Sequence, residues 1–157
     1  MFSLGVDIGQ ERIDYCLYAQ KENKNVLEGS ATNDARGFDE LWAALIQTGY
    51  VLADMHVYME STGGLENRLF EYLRDKVGHA FILNPKQVKC FKDALFQDHK
   101  CDAIDAQVLA KCVILPELKN NLKALKPKEL GSFETMLKHR EFLVRQRTAA
   151  ILRQQRL

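Results

Sequence analysis

Cysteine and long apolar segments are scarce in this sequence, and each shortage excludes a class of protein. The four cysteines, Cys16, Cys90, Cys101 and Cys112, stand singly and form no Cys-x-x-Cys pair, so neither a zinc knuckle nor a disulfide framework is expected. No segment approaches the roughly 20 apolar residues needed to span a bilayer. An acid at Asp7 lies where a signal peptide would be apolar. We therefore expect a cytoplasmic protein that has no membrane partner.

The composition indicates a soluble globular protein of 157 residues, of which 46% are apolar and 27% charged. The net charge of +1 hides an asymmetry. Residues 1–83 carry seven Lys or Arg against thirteen Asp or Glu, whereas residues 84–157 carry fifteen against eight. A basic second half can supply the phosphate contacts of a nucleic-acid-binding protein. A set of solvated helix faces explains the same asymmetry equally well.

The pattern of apolar and turn residues predicts a mixed α/β domain over residues 1–115. Strands are predicted at 4–9, 12–19, 25–31, 54–59 and 79–83, and the first two form a hairpin. Helices are predicted after an N-cap at Asn33-Asp34, after a turn at 61–64, at about 85–95 and at about 102–114. This order of strands and helices is the one expected of a ribonuclease-H-like sheet flanked by helices.

Residues 116–157 are predicted to be a linker followed by the start of a long coiled-coil-type helix. Pro127 suits the first turn of that helix. Two apolar series recur every seven residues: Leu130, Leu137, Val144 and Ile151, and Met136, Leu143, Ala150 and Leu157. Such a stripe is typical of a helix that packs against partner helices, so we expect a homo-oligomer. No stop signal precedes Leu157, and we expect a chain that is cut within this helix.

Four acids have the pattern of a metal site. Asp7 lies inside the first predicted strand, Glu60 directly follows the fourth, and Asp102 and Asp105 share one face of a predicted helix. A strand acid is costly without compensation, and four gathered acids repel one another. A bound cation removes that conflict, and Mg²⁺ prefers carboxylate oxygens. Mn²⁺ accepts the same ligands.

Each acid also has a simpler interpretation. Asp7 can end a strand, Glu60 can cap the helix that begins near Leu65, and Asp102 and Asp105 can be first-turn acids favoured by the helix dipole. The turn at 61–64 lacks the pattern of a phosphate-binding loop and is predicted to shape the corner between strand and helix.

Four short motifs occur in an order that resembles a known family. They are Gly5-Val6-Asp7-Ile8-Gly9, Met59-Glu60-Ser61-Thr62-Gly63, Asn84-Pro85-Lys86-Gln87-Val88-Lys89 and Lys100-Cys101-Asp102-Ala103-Ile104-Asp105-Ala106. Together they resemble the N-terminal domain of the DEDD transposases, which include the Piv-type DNA invertases and the RNA-guided bridge recombinases. The resemblance covers residues 3–155.

The resemblance implies a fold like that of the Holliday-junction resolvase RuvC, with Asp7, Glu60, Asp102 and Asp105 as catalytic Mg²⁺ ligands. It implies DNA as the partner, an element-encoded guide RNA where the recombinase type applies, and a bacterial or archaeal, nucleoid-associated protein. Lys100 matches the motif, and our hypothesis is that it contacts phosphate together with Lys86, Lys89 and Lys92; a solvated helix face is the alternative.

This sequence departs from the family at two points. The family usually has Gly near Phe96 and Thr near Cys101. Its members also carry a C-terminal domain whose serine attacks DNA, and this chain ends before such a domain, so complete recombination by this polypeptide alone is not expected.

Three other functions remain open. A Val-Asp-Ile-Gly strand also opens sugar kinases and other actin-like ATPases, although the second glycine loop and duplicated chain of those enzymes are missing here. A stand-alone RuvC-like resolvase or nuclease would use the same four acids. A non-catalytic, nucleic-acid-binding remnant would use none of them.

Overall fold

The computed structural model describes residues 1–95, 102–112 and 144. Its strands are β1 Phe2–Ile8, β2 Arg12–Ala19, β3 Lys24–Thr32, β4 Met55–Glu60 and β5 His79–Leu83. Its helices are α1 Ala35–Gln47, α2 Asn67–Leu73, α3 Pro85–Leu95 and α4 Asp102–Lys111, with a 3-10 turn at Leu52–Asp54. The predicted order of elements is confirmed. Leu65 is the exception: it was expected on the second helix, but it is partly exposed and precedes α2.

The five strands form one mixed sheet in the order β3-β2-β1-β4-β5. The first three strands pair antiparallel as a meander, whereas β1, β4 and β5 are parallel. Because parallel strands run in the same direction, the carboxyl ends of β1, β4 and β5 lie side by side. These ends are Ile8, Glu60 and Leu83. The predicted mixed sheet is therefore confirmed.

Side chains alternate between the two faces of the sheet, as strand geometry requires. Leu4 and Val6 pack with Phe38 and Leu41 of α1 in the larger core cluster. Helix α1 begins where predicted, because the Asp34 carboxylate accepts a 2.9 Å hydrogen bond from the Gly37 N–H. The opposite face carries Tyr58, which packs with residues of α3 and α4 in a second cluster.

Helix α4 lies directly on the second face, and Gly5 permits the contact. A Cβ atom at Gly5 would stand 2.1 Å from the carbonyl oxygen of Ala106, so only glycine fits beneath this helix. The Ser3 hydroxyl donates a hydrogen bond to the carbonyl of Ala110. The positions from Ser3 to Gly5 thus run along α4 from Ala110 back to Ala106. Asp7, two residues further, faces the beginning of α4.

The chain divides into two units, Met1–Pro127 and Lys128–Leu157. In the second unit the structure describes Val144, which is helical and exposed. The predicted coiled-coil helix otherwise lies outside the described residues. Both that helix and the predicted domain boundary after residue 115 remain predictions. No helix in the described part of the chain is long and apolar enough to cross a membrane.

Candidate metal and nucleic-acid site

Asp7 and Glu60 are neighbours at the carboxyl ends of two parallel strands. The register pairs Val6 of β1 with Met59 of β4, and the two acids are the next residues of their strands. Because side chains alternate along a strand, the side chains of both acids lie on the face that α4 covers, and both residues are half-buried.

Burial and mutual repulsion raise the pKa of both carboxyl groups. For Asp7 the main cause is burial, followed by the charge of Asp105, and Asp14 on β2 adds to it. Burial is also the main cause for Glu60, and the charges of Asp7 and Asp105 act in the same direction. Three acids from three separate elements therefore influence one another at this face.

Asp105 reaches the site from α4 and is paired with a lysine of α3. The Nζ atom of Lys92 lies 2.7 Å from its Oδ2 atom. The charge of Lys92 also lowers the pKa of Asp7 and of Glu60, opposing the effect of burial. Lys92 was predicted as a phosphate contact, and in this structure its ammonium group is directed at the acids.

The remaining predicted residues are described less completely. Asp102 is the first residue of α4, and its side chain lies outside the described residues, as does Lys100. Lys86 and Lys89 are exposed on α3. That helix begins at the Asn-Pro motif, where the Asn84 side chain accepts a 2.9 Å hydrogen bond from the Lys86 N–H.

The donor chemistry of this face suits a hard divalent cation, because Asp7, Glu60 and Asp105 all offer carboxylate oxygens. Within the described residues, however, no three His, Cys, Asp or Glu side chains converge closely enough to hold a metal ion. Metal binding at this face and the identity of the ion thus remain predictions.

Glu66 was missed by sequence reasoning. It is only 2% exposed, and its carboxylate holds the turn that directly follows Glu60. One carboxylate oxygen accepts a 3.0 Å bond from the Ser61 hydroxyl, and the other accepts bonds from the N–H groups of Thr62 and Gly64 at 3.0 and 2.9 Å. Burial alone would raise the pKa of Glu66, but these donors outweigh it and hold the pKa below its ordinary value.

The Glu66 bonds confirm that the turn at 61–64 shapes the corner between β4 and α2. Gly63 and Gly64 adopt positive φ angles of 83° and 111°, which favour glycine. The alternative in which Glu60 caps the following helix is not supported, since Glu66 makes these bonds. The signal in the sequence was an acid two residues after a Ser-Thr-Gly-Gly turn.

The sheet order and the acids at the ends of β1 and β4 define a ribonuclease-H-like domain of the RuvC type. Two structures of Thermus thermophilus RuvC share the fold at 12% identity. The one in complex with a Holliday junction substrate has a TM-score of 0.56 over 80% of this chain and 99% of that chain. The other has a TM-score of 0.55 over 80% and 100%. The predicted fold class is confirmed.

The model of the transposase family DEDD_Tnp_IS110 matches residues 4–157, and the chain belongs to this family. It is also similar to the pilin gene-inverting proteins of Moraxella bovis and Moraxella lacunata, with 27% and 26% identity over 156 residues. Each match covers 98% of this chain and 46% of the relative, so the chain spans about half the length of these curated relatives. The resemblance predicted from four motifs is confirmed.

Proposed function

We propose that this chain is the metal-dependent catalytic domain of a DNA transposase or recombinase, in which Asp7, Glu60, Asp102 and Asp105 hold Mg²⁺ for DNA strand cleavage and transfer. The observation that carries the proposal is the placement of Asp7, Glu60 and Asp105 on one half-buried face, near enough for their charges to interact. They come from β1, β4 and α4, and the charge of Asp105 raises the pKa of both other acids.

Placing these acids on one half-buried face costs free energy, and the packing of the fold does not need them there. Burial disfavours their charged forms, and each negative charge disfavours the next. Perturbed acids of this kind cluster at functional sites more often than elsewhere. A divalent cation held here would stabilise the negative charge that develops on a scissile phosphate. The chain itself supplies the oxygen ligands, fixes their spacing by the β1–β4 register, and shields one side of the site with α4.

DNA is the proposed partner. The chain belongs to a transposase family, and RuvC, which shares its fold, has been solved with a Holliday junction substrate. Lys86 and Lys89 are exposed on α3, the helix that also carries Lys92 to the acids. We propose that these two lysines and Lys100 contact phosphates. A guide RNA and an oligomer formed through the helix in 116–157 are further proposals for the complete protein.

Calorimetric titration of Mg²⁺ and Mn²⁺ tests the metal site. Wild type should bind saturably, and the Asp102→Asn/Asp105→Asn double variant should bind about tenfold more weakly, or more weakly still, since two carboxylate ligands are lost. Asp75→Asn is the matched control, because this acid is 82% exposed on α2's C-terminal side. Equal affinity in wild type and the double variant, or no binding in either, would rule out the site in this chain.

A stand-alone resolvase is the second candidate, because the fold match covers 99% of the RuvC chain and only 80% of this one. Cleavage of a four-way junction in preference to linear duplex, by a dimer of this chain, would favour it. Metal binding without cleavage of either substrate would favour the transposase proposal, in which the rest of the protein is required. Failure of both metal binding and cleavage would favour a nucleic-acid-binding remnant.

A further inference from the structure

Lys92 joins two helices at the acidic face. Its Nζ atom on α3 lies 2.7 Å from Oδ2 of Asp105 on α4, and the side chains of both residues are about one third exposed, at 32% and 31%. The other ion pairs in the described part of the chain link residues at most four positions apart. In each of those pairs at least one partner is half exposed or more. Such pairs contribute little, whereas a partly buried pair is less screened.

The ammonium of Lys92 acts on all three described acids. It contacts Asp105, and its charge opposes the pKa rise of Asp7 and of Glu60. Lysine thus provides one positive charge at the place where β1, β4 and α4 present negative ones. Lys86 and Lys89 on the same helix are exposed.

We propose that Lys92 is the built-in counter-ion of the metal-free site and that it leaves Asp105 when a divalent cation binds. This inference rests on the proposed function. A lysine ammonium and a metal ion both interact favourably with the Asp105 carboxylate, and their two positive charges repel each other when both lie at this group, whose Oδ2 atom is 2.7 Å from the Lys92 Nζ atom. Lys92 therefore stabilises the metal-free domain and competes with the metal, which sets the metal concentration at which the site fills.

The test compares Lys92→Met with Lys92→Arg in the full chain. Lys92→Met removes the charge and keeps most of the apolar stem, whereas Lys92→Arg keeps the charge. Lys24→Met is the matched control: it removes a lysine from an exposed 3.1 Å pair with Glu22 at the opposite end of the sheet. Mg²⁺ and Mn²⁺ affinities are measured by calorimetry at low ionic strength, and melting temperatures are measured in chelator.

Lys92→Met should bind the metal ions about five- to tenfold more tightly than wild type, because one competing positive charge is gone. In chelator its melting temperature should fall by about 2–4 °C, because the acids lose their counter-ion. Lys92→Arg and Lys24→Met should keep affinities within about twofold of wild type. Metal binding by Lys92→Met at wild-type or lower affinity would overturn the proposal while leaving the metal site itself intact.

Two further outcomes distinguish failure of the metal site from failure of the role of Lys92. If wild type binds no metal, the proposed metal site and the competition by Lys92 are both wrong. If Lys92→Met is too unstable to titrate, the Lys92→Met/Asp105→Asn variant decides, since removing both charges of the pair should restore the stability lost in chelator. A double variant that is no more stable than Lys92→Met would overturn the counter-ion role.

Discussion

Two acidic residues of this domain, Asp7 and Glu66, have pKa values that the fold shifts in opposite directions. Asp7 stands in a strand between Val6 and Ile8, which are buried in the core, and its pKa is raised by burial and by Asp105. Glu66 follows the turn at 61–64. Its pKa is lowered because N–H and hydroxyl groups donate hydrogen bonds to its carboxylate. The two acids therefore affect folding with opposite dependence on pH.

Asp7→Asn should make the metal-free domain more stable at pH 7, by a few tenths to about 1 kcal/mol. The raised pKa of Asp7 means that its stabilising contribution is complete below its ordinary value of 3.8 and is lost as the pH rises through the higher folded value. An amide avoids that loss but is a poorer metal ligand. Urea unfolding in chelator measures the effect, with Asp75→Asn as the control. Clear destabilisation would show that Asp7 serves the fold and not a ligand.

Glu66→Gln should destabilise the domain by about 1–2 kcal/mol at pH 7, because an amide replaces charge-assisted acceptors in a buried turn. The pKa of Glu66 is lowered, so its contribution is present above the ordinary value of 4.5 and is lost as the pH falls through the folded value. The variant should therefore lose less stability on acidification than wild type. Denaturant unfolding from pH 7 to pH 3 measures this. Glu71→Gln is the control, because Glu71 is an exposed acid on α2, the helix that follows Glu66. An equal loss in both variants would contradict the role of Glu66.

At the scale of elements, the contact between β1 and α4 places the helix acid on the same face as the strand acids. Asp7 and Glu60 are set by the strand register, but Asp105 approaches them only because α4 rests on Gly5. Ser3 adds a hydrogen bond to the far end of the same helix. The distance between β1 and α4 thus controls whether the helix acid can reach the strand acids.

Gly5→Ala should separate α4 from β1. A Cβ atom there would stand 2.1 Å from the Ala106 oxygen and 2.3 Å from the Ala110 nitrogen, so backbone must move. We expect a loss of about 1–3 kcal/mol in unfolding free energy and weaker metal binding. Gly29→Ala on the edge strand β3 is the control, since its Cβ would meet only the end of the Tyr15 side chain. Unchanged metal affinity in a folded Gly5→Ala variant would show that α4 does not contribute a ligand.

At the scale of the whole molecule, charge is divided along the chain. The first 83 residues are acidic and contain two of the four proposed ligands, whereas the remainder is basic. Such a division would suit the proposed domain, in which the acidic part holds a cation and the basic part contacts a phosphate backbone. It predicts that DNA affinity and metal affinity depend on different residues.

Lys86→Ala/Lys89→Ala should weaken DNA binding and lower the slope of log affinity against log salt concentration by about 1–2, because each phosphate contact releases roughly one counter-ion. Metal affinity and stability should stay unchanged, since both lysines are exposed. Fluorescence anisotropy at several salt concentrations measures the slope, with Lys21→Ala/Lys24→Ala as a control of equal charge. A slope equal to that of wild type would mean that α3 presents only a solvated face.

The amino-acid sequence by itself determined the local structure of this protein. Alternating apolar residues predicted all five strands, and the pairs Asn33-Asp34 and Asn84-Pro85 predicted where α1 and α3 begin. Asp7 and Glu60 were also predicted from local signals, because one lies inside an apolar segment and the other directly follows one. Each of these signals lies within a few residues of the chain, where propensity and period act directly.

Tertiary structure alone decided how side chains from different elements meet. Lys92 was predicted as a phosphate contact and is paired with Asp105, because α3 and α4 pack side by side on the sheet. Glu66 was not singled out from the sequence, because only the folded turn brings the N–H groups of Thr62 and Gly64 to its carboxylate. Gly5 looked like part of a motif, and only the packing of α4 explains it. Such contacts depend on where separate elements come to lie in space, and no periodicity along one segment encodes that position.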